Sequence, residues 1–154
     1  EQHITDALAL DHDVTAHLVA RSCAIKADVV RQDETESGLR AILNFGHTMG
    51  HAIEAVAGYG KYLHGEAIAV GMIYAARLSG LPAEQLERIE ALITRAGLPV
   101  RASELAWDDL RRAMSVDKKS ESGLPKFVLA REIGRVEFGV TVEEMQLSEV
   151  WRTM

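Results

Sequence analysis

GLRAILNFGHTMGHAIEAVAGYGKYLHG, residues Gly38 to Gly65, is the stretch on which the rest of the chain turns. Its first part has helical periodicity. At ~100° per residue, Arg40, Asn44, His47 and His51 fall within about 60° of one another and form one stripe. Glu36, just upstream, extends the same line if the helix begins early. Ile42, Phe45, Met49 and Ile53 lie opposite and make a core face. The polar stripe is unusual in kind, because a solvated helix face is normally built of Lys, Glu, Gln and Ala. Gly46 and Gly50 stand inside the same segment, and each costs a helix roughly 1 kcal/mol against Ala. Close approach of a ligand or of a neighbouring helix is the simplest reason for them. A lone His on such a face is more often a satisfied core residue. An ordered stripe followed by a third His points to a site instead.

The third His is His64, in a Gly-rich turn at the mouth of a new helix. From there it can fold back towards the stripe. Neutral imidazoles from two elements are typical zinc ligands, and a catalytic zinc site uses three protein ligands and one open position. His47 and His51 have the spacing of the zincin helix, but Thr48 stands where that motif needs Glu, so the metalloprotease reading fails.

LNFGHTMGHAIE followed by LHGEAIAVGM strongly resembles the 3-dehydroquinate synthase family, and IKADVV before it and DKK after it occur in the same order. The resemblance runs from about Cys23 to the hairpin near Phe138. It implies the C-terminal helical half of a two-domain enzyme, residues 1–154 forming one helical domain, with an N-terminal NAD-binding domain outside this sequence. It implies zinc, or cobalt in its place, on His47 and His64, with a third ligand, a Glu, in a segment upstream of IKADVV. Glu1 lies in no matching motif, so that ligand is expected to be absent here. Should a local residue complete the site, His51 or Glu54 would be the one. Arg40 is expected to hold a carboxylate, and Asn44 and His51 substrate oxygens. Lys26 and one lysine of Asp117-Lys118-Lys119 are expected to contact substrate, and Glu36 to orient His51. On spacing alone, Lys26 reads as a solvent lysine and DKK as a charge cluster.

The reaction implied converts 3-deoxy-D-arabino-heptulosonate 7-phosphate, a phosphorylated sugar acid, into 3-dehydroquinate and phosphate, with NAD oxidising and re-reducing the substrate transiently. The resemblance also implies a homodimer. Related sugar-phosphate cyclases of the 2-deoxy-scyllo-inosose and 2-epi-5-epi-valiolone synthase type are the first alternative. A non-catalytic helical interaction module that has kept the motif is the second. Metal-dependent alcohol dehydrogenases share the helical domain, but HTMGHAIE and DKK argue against them.

Composition agrees with a globular enzyme part. The chain has 154 residues, 47% hydrophobic and 26% charged, enough for one domain with a real core. A net charge of −6 gives no indication of a nucleic-acid or anionic-membrane partner. No apolar run approaches ~18 residues and no signal peptide is visible, so cytoplasm is the expectation. The single Cys23 excludes an internal disulfide and reads as a small core residue. The chain begins at Glu1 without a targeting segment, and the expectation is a piece of something longer. No GxGxxG follows a strand anywhere in it.

The remaining pattern predicts a mainly α fold, a bundle of about five to seven helices with one small hairpin. Asp13 to Val30 reads as a helix capped by Asp11 or Asp13, with Val14, Leu18, Ile25 and Val29 as its apolar stripe. His3, His12 and His17 read as surface residues. Glu66 to Ser79 is apolar on several sides and belongs in the middle of the domain. Ala83 to Ala96 turns Leu86, Ile89 and Ile93 inward and stops at Gly97. Asp108 to Val116 packs Leu110 and Met114, with Trp107 near its start. Lys126–Ala130 and Arg135–Phe138 read as the hairpin, and Thr141 with Glu144 as a capping box for a last helix carrying Met145, Val150 and Trp151.

Overall fold

A computed structural model describes residues 1–35, 38–58, 60–116 and 125–154. Among them the architecture is mainly α, as predicted: seven α-helices, one 3-10 helix and one two-stranded antiparallel sheet. In chain order the helices are α1 (Ile4–Leu8), α2 (His12–Gln32), the 3-10 helix (Leu39–Asn44), α3 (His47–Ala57), α4 (His64–Leu78), α5 (Ala83–Arg95) and α6 (Trp107–Val116). Strands β1 (Lys126–Glu132) and β2 (Arg135–Thr141) follow, and α7 (Glu144–Arg152) closes the chain. The short α1 has no counterpart in the sequence reading.

The helix α4 is the axis of the domain. Ala67, Val70 and Tyr74 are wholly buried, and Ile73, Ala75, Ala76 and Leu78 nearly so. Met49, Ile53, Leu110, Met114, Phe127 and Leu147 gather around it in one apolar cluster. Polar ties hold the layers in place. The Tyr74 hydroxyl donates to the Leu147 carbonyl at 2.8 Å, joining α4 to α7. Ser79 Oγ donates to Ala75 O and accepts from Ala130 N at 2.8 Å, joining the end of α4 to β1. Thr48 Oγ1 donates to Lys126 O at 3.0 Å, which fixes the start of α3 beside the hairpin.

Four sequence expectations give way here. The stripe is not on one helix. The backbone leaves helical geometry at Phe45 (ψ 124°) and turns left-handed at Gly46 (φ 82°), so Arg40 and Asn44 sit on the 3-10 helix and His47 and His51 on α3. A four-residue step turns only about 40° on α3 but about 120° on a 3-10 helix, so His47 and His51 keep their line and Arg40 and Asn44 do not. Second, α2 forms with Asp11 as its cap, its carboxylate accepting from Asp13 N and Val14 N, but the apolar stripe is not buried. Leu18 is 47% and Ile25 50% exposed, and only Val29 is covered. Third, Cys23 lies on that exposed length of α2 and is not a core residue. Fourth, Thr141 ends β2, paired with Lys126, so the cap of α7 passes to Glu143 and no side-chain capping bond forms.

The glycines of the 38–65 stretch serve a neighbouring helix. A methyl at Gly71 on α4 would stand 2.1 Å from Gly46 O and 2.8 Å from Gly50 N. One at Gly50 would meet the Ile68 side chain at 2.5 Å, and one at Gly46 the Met72 backbone nitrogen at 2.6 Å. Three glycines therefore let α3 and α4 cross with backbones almost touching, closer than side chains would permit.

Candidate metal centre

The crossing is what assembles the histidines. His47 opens α3, His51 stands one turn on, and His64 opens α4 on the other side of the glycine contact. Their rings form a triangle: centroids are 5.4 Å apart for His47 and His51, 5.7 Å for His47 and His64, and 6.0 Å for His51 and His64. The two histidines of the stripe and the third His thus converge.

Each ring is held differently. His47 is half-buried, and its Nδ1 lies 3.3 Å from the Phe45 carbonyl. Burial is the largest influence on its protonation and depresses its pKa; the Phe45 carbonyl opposes this, and the neighbouring rings of His51 and His64 add to it. The ring is therefore kept neutral, with a lone pair to offer. Nδ1 of His64 lies 3.1 Å from both carboxylate oxygens of Glu54, which is on α3 one turn beyond His51. Its helix start is fixed by the Leu63 amide donating to Glu66 at 2.8 Å. Two residues before His64, Tyr62 donates to Glu104 at 2.6 Å and pins this connection to the segment preceding α6. Burial and that bond push the Tyr62 phenol up to about 12.

These donors fit a divalent metal. His51, Glu54 and His64 each bring a ligand atom within 4.8 Å of the others. His47, expected as a ligand, is not in that set, and its ring centroid lies 5.4 Å from that of His51 and 5.7 Å from that of His64. Imidazole nitrogen with carboxylate oxygen is a donor set that zinc and cobalt both accept.

The other expected site residues are placed less uniformly. Arg40 is half-buried, and its backbone amide donates to Asp33 Oδ2 at 2.9 Å, as does that of Gly38. Asp33, 7% exposed, thereby ties the end of α2 to the 3-10 helix carrying Arg40 and Asn44. Asn44 is exposed, and Lys26 is exposed on α2. Glu36, Lys118 and Lys119 lie outside the described residues. Sequence reasoning saw Glu54 only as a spare ligand. Its position on the His47/His51 helix was legible, but its partner depends on which helix crosses α3. The Tyr62–Glu104 tie joins residues 42 positions apart and left no signal in the sequence.

Comparison with known proteins bears on the same segments. The family described as 3-dehydroquinate synthase C-terminal matches residues 1–120. The 3-dehydroquinate synthase of Thermoanaerobacter pseudethanolicus is 44% identical over 154 residues, covering 97% of this chain and 43% of the relative. That of Acidithiobacillus ferrooxidans is 49% identical over 138 residues, covering 87% and 38%. The chain spans less than half the length of these relatives. Among solved structures, 2-epi-5-epi-valiolone synthase from Streptomyces hygroscopicus, with NAD+ and Zn2+ bound, superposes with TM-score 0.84. It covers 98% of this chain and 44% of the other at 22% identity, which speaks for the fold alone. A 2-deoxy-scyllo-inosose synthase complexed with carbaglucose-6-phosphate, NAD+ and Co2+ gives TM-score 0.72 at 27% identity, over 84% of this chain and 39% of that one. With the match running through both histidine-bearing helices, and with 44–49% identity to synthases over most of its length, the chain belongs to the 3-dehydroquinate synthase C-terminal family.

Proposed function

We propose that this chain is the metal- and substrate-binding half of a 3-dehydroquinate synthase, a single helical domain of a two-domain lyase. The observation that carries the reading is the triangle of His47, His51 and His64, with centroids 5.4–6.0 Å apart on the two helices that bear the family's motifs. In this reading the substrate is 3-deoxy-D-arabino-heptulosonate 7-phosphate and the products are 3-dehydroquinate and phosphate. His47 and His64 would hold the metal, with a carboxylate from outside the chain as the third ligand.

Zinc or cobalt, when bound, supplies Lewis-acid polarisation of the hydroxyl to be oxidised and of the ketone it becomes, while NAD, held mainly by the other domain, supplies the transient hydride acceptor. The chain's own residues bind and orient. Arg40 offers a planar fork to the substrate carboxylate, and the Asp33 bonds to Gly38 and Arg40 backbone fix where that fork starts. Asn44 and His51 take substrate oxygens, His51 near the leaving phosphate. Lys26, with Lys118 or Lys119, offsets the charge of a polyanionic substrate, and Glu36 orients His51. The enzyme would work as a homodimer in the cytoplasm, and among the described residues no helix is long and apolar enough to cross a membrane.

Phosphate release by the full-length protein with NAD and zinc tests this. We expect turnover of 3-deoxy-D-arabino-heptulosonate 7-phosphate, lost on His64→Ala, and none by the 154-residue chain alone. Preference for glucose 6-phosphate or a heptulose phosphate would reassign the protein to the related cyclases. Metal binding without turnover of any of these would make it an interaction module.

A further inference from the structure

The two histidines read as metal ligands share a feature. His47 presents Nδ1 to the Phe45 carbonyl at 3.3 Å, and His64 presents Nδ1 to the Glu54 carboxylate at 3.1 Å from either oxygen. A carbonyl and an ionised carboxylate only accept, so the ring nitrogen facing each must carry the proton. In a neutral imidazole that leaves Nε2 with the lone pair on both rings. The two lone pairs are then offered from two helices, α3 and α4.

We propose that Glu54 is a positioning residue for His64, fixing its Nδ1–H tautomer and ring direction so that Nε2 faces the metal, and is not itself a ligand. The proposal rests on the reading of His64 as a ligand. Geometry favours it over direct ligation by Glu54. Both carboxylate oxygens are equidistant from one nitrogen, as in a shared N–H donor, and that nitrogen would have to be vacated for a metal to sit between them. Glu54 also has the means to hold its aim. Its side chain is two-thirds buried, and its neighbours on α3, Ile53, Val56 and Ala57, belong to or pack against the core. Metal-bound imidazoles generally donate their second N–H to such a partner, and losing it typically costs 10–100-fold in metal affinity.

The test uses the full-length protein with selectively 15N-labelled histidine, metal-free and then titrated with cobalt(II). In the metal-free protein, the His64 signal, identified by its loss in His64→Ala, should show the Nδ1–H tautomer, and Glu54→Ala should shift it towards Nε2–H. On titration, Glu54→Ala should weaken cobalt binding about 10–100-fold with the visible d–d bands unmoved. Glu54→Gln keeps an acceptor oxygen and should recover much of that loss, whereas His64→Ala should lose binding far more severely. An Nε2–H tautomer in the unsubstituted protein, or unchanged cobalt affinity in Glu54→Ala, would overturn the proposal. So would shifted d–d bands in both Glu54 variants, which would make Glu54 a ligand. If the unsubstituted protein binds no cobalt, the metal reading fails, and the tautomer alone then decides whether Glu54 orients His64.

Discussion

The α3/α4 crossing and the helix α2 are opposites in one chain. At the crossing, Gly46, Gly50 and Gly71 bring two backbones together, and Met49, Ile53, Ala67 and Val70 are sealed beneath. Along α2, 21 residues of regular helix bury a single side chain, Val29. Both segments announce an apolar face in sequence. The difference is that glycines at a contact specify what must come near, whereas an amphipathic stripe specifies only that something will. Leu18, Val19 and Ile25 are all about half exposed, so α2 is formed by local rules and held mainly at its ends.

That contrast can be broken most directly at Gly71. Gly71→Ala should destabilise the domain by about 3 kcal/mol, or prevent folding, because the new methyl meets Gly46 O and Gly50 N with no flexible side chain to give way. Thermal unfolding followed by circular dichroism would measure it, and a loss under about 1 kcal/mol would mean that the crossing is looser than described. Tyr74→Phe should cost about 1 kcal/mol in chemical denaturation, since it removes the buried hydrogen bond between α4 and α7.

Acid should come next. His47 titrates below its ordinary 6.5 in the fold. The unfolded chain therefore takes up a proton first, and stability present above that value should fall as pH drops through it towards the lower folded value. A His47→Gln variant should show a flatter stability profile over this window, and an identical profile would remove His47 from the account. Smallest of all should be Leu18→Ser on α2, within about 0.5 kcal/mol in the isolated chain. A large loss there would show that the exposed face of α2 is covered after all, and the comparison would collapse.

The sequence made much of this legible. The spans of α2, α4, α5 and α6 and the hairpin follow from periodicity and from Gly97 and Gly134, whose φ values of 75° and 97° suit a helix stop and a turn. The break at Phe45–Gly46 was hidden, because Gly46 needs its left-handed turn only once Met72 is known to press against it. Cys23 went to the surface for the same reason that Leu18 did: both lie along the length of α2 that is exposed among the described residues. The three converging histidines were readable from their motif, and Glu54 as a possible neighbour. That Glu54 addresses Nδ1 of His64 needed the crossing itself, since a contact between α3 and α4 leaves no mark in the spacing of either.

The glycine contact also acts as a notch. If α4 slid along α3 by one turn, about 5.4 Å, Ala67, Ile68, Tyr74 or Ala75 would enter a slot that admits nothing larger than the hydrogen of Gly71. The two helices can therefore mesh in one register only. The spacing of the three imidazoles is set the way a key is set by its cuts, before any ion arrives to draw them together.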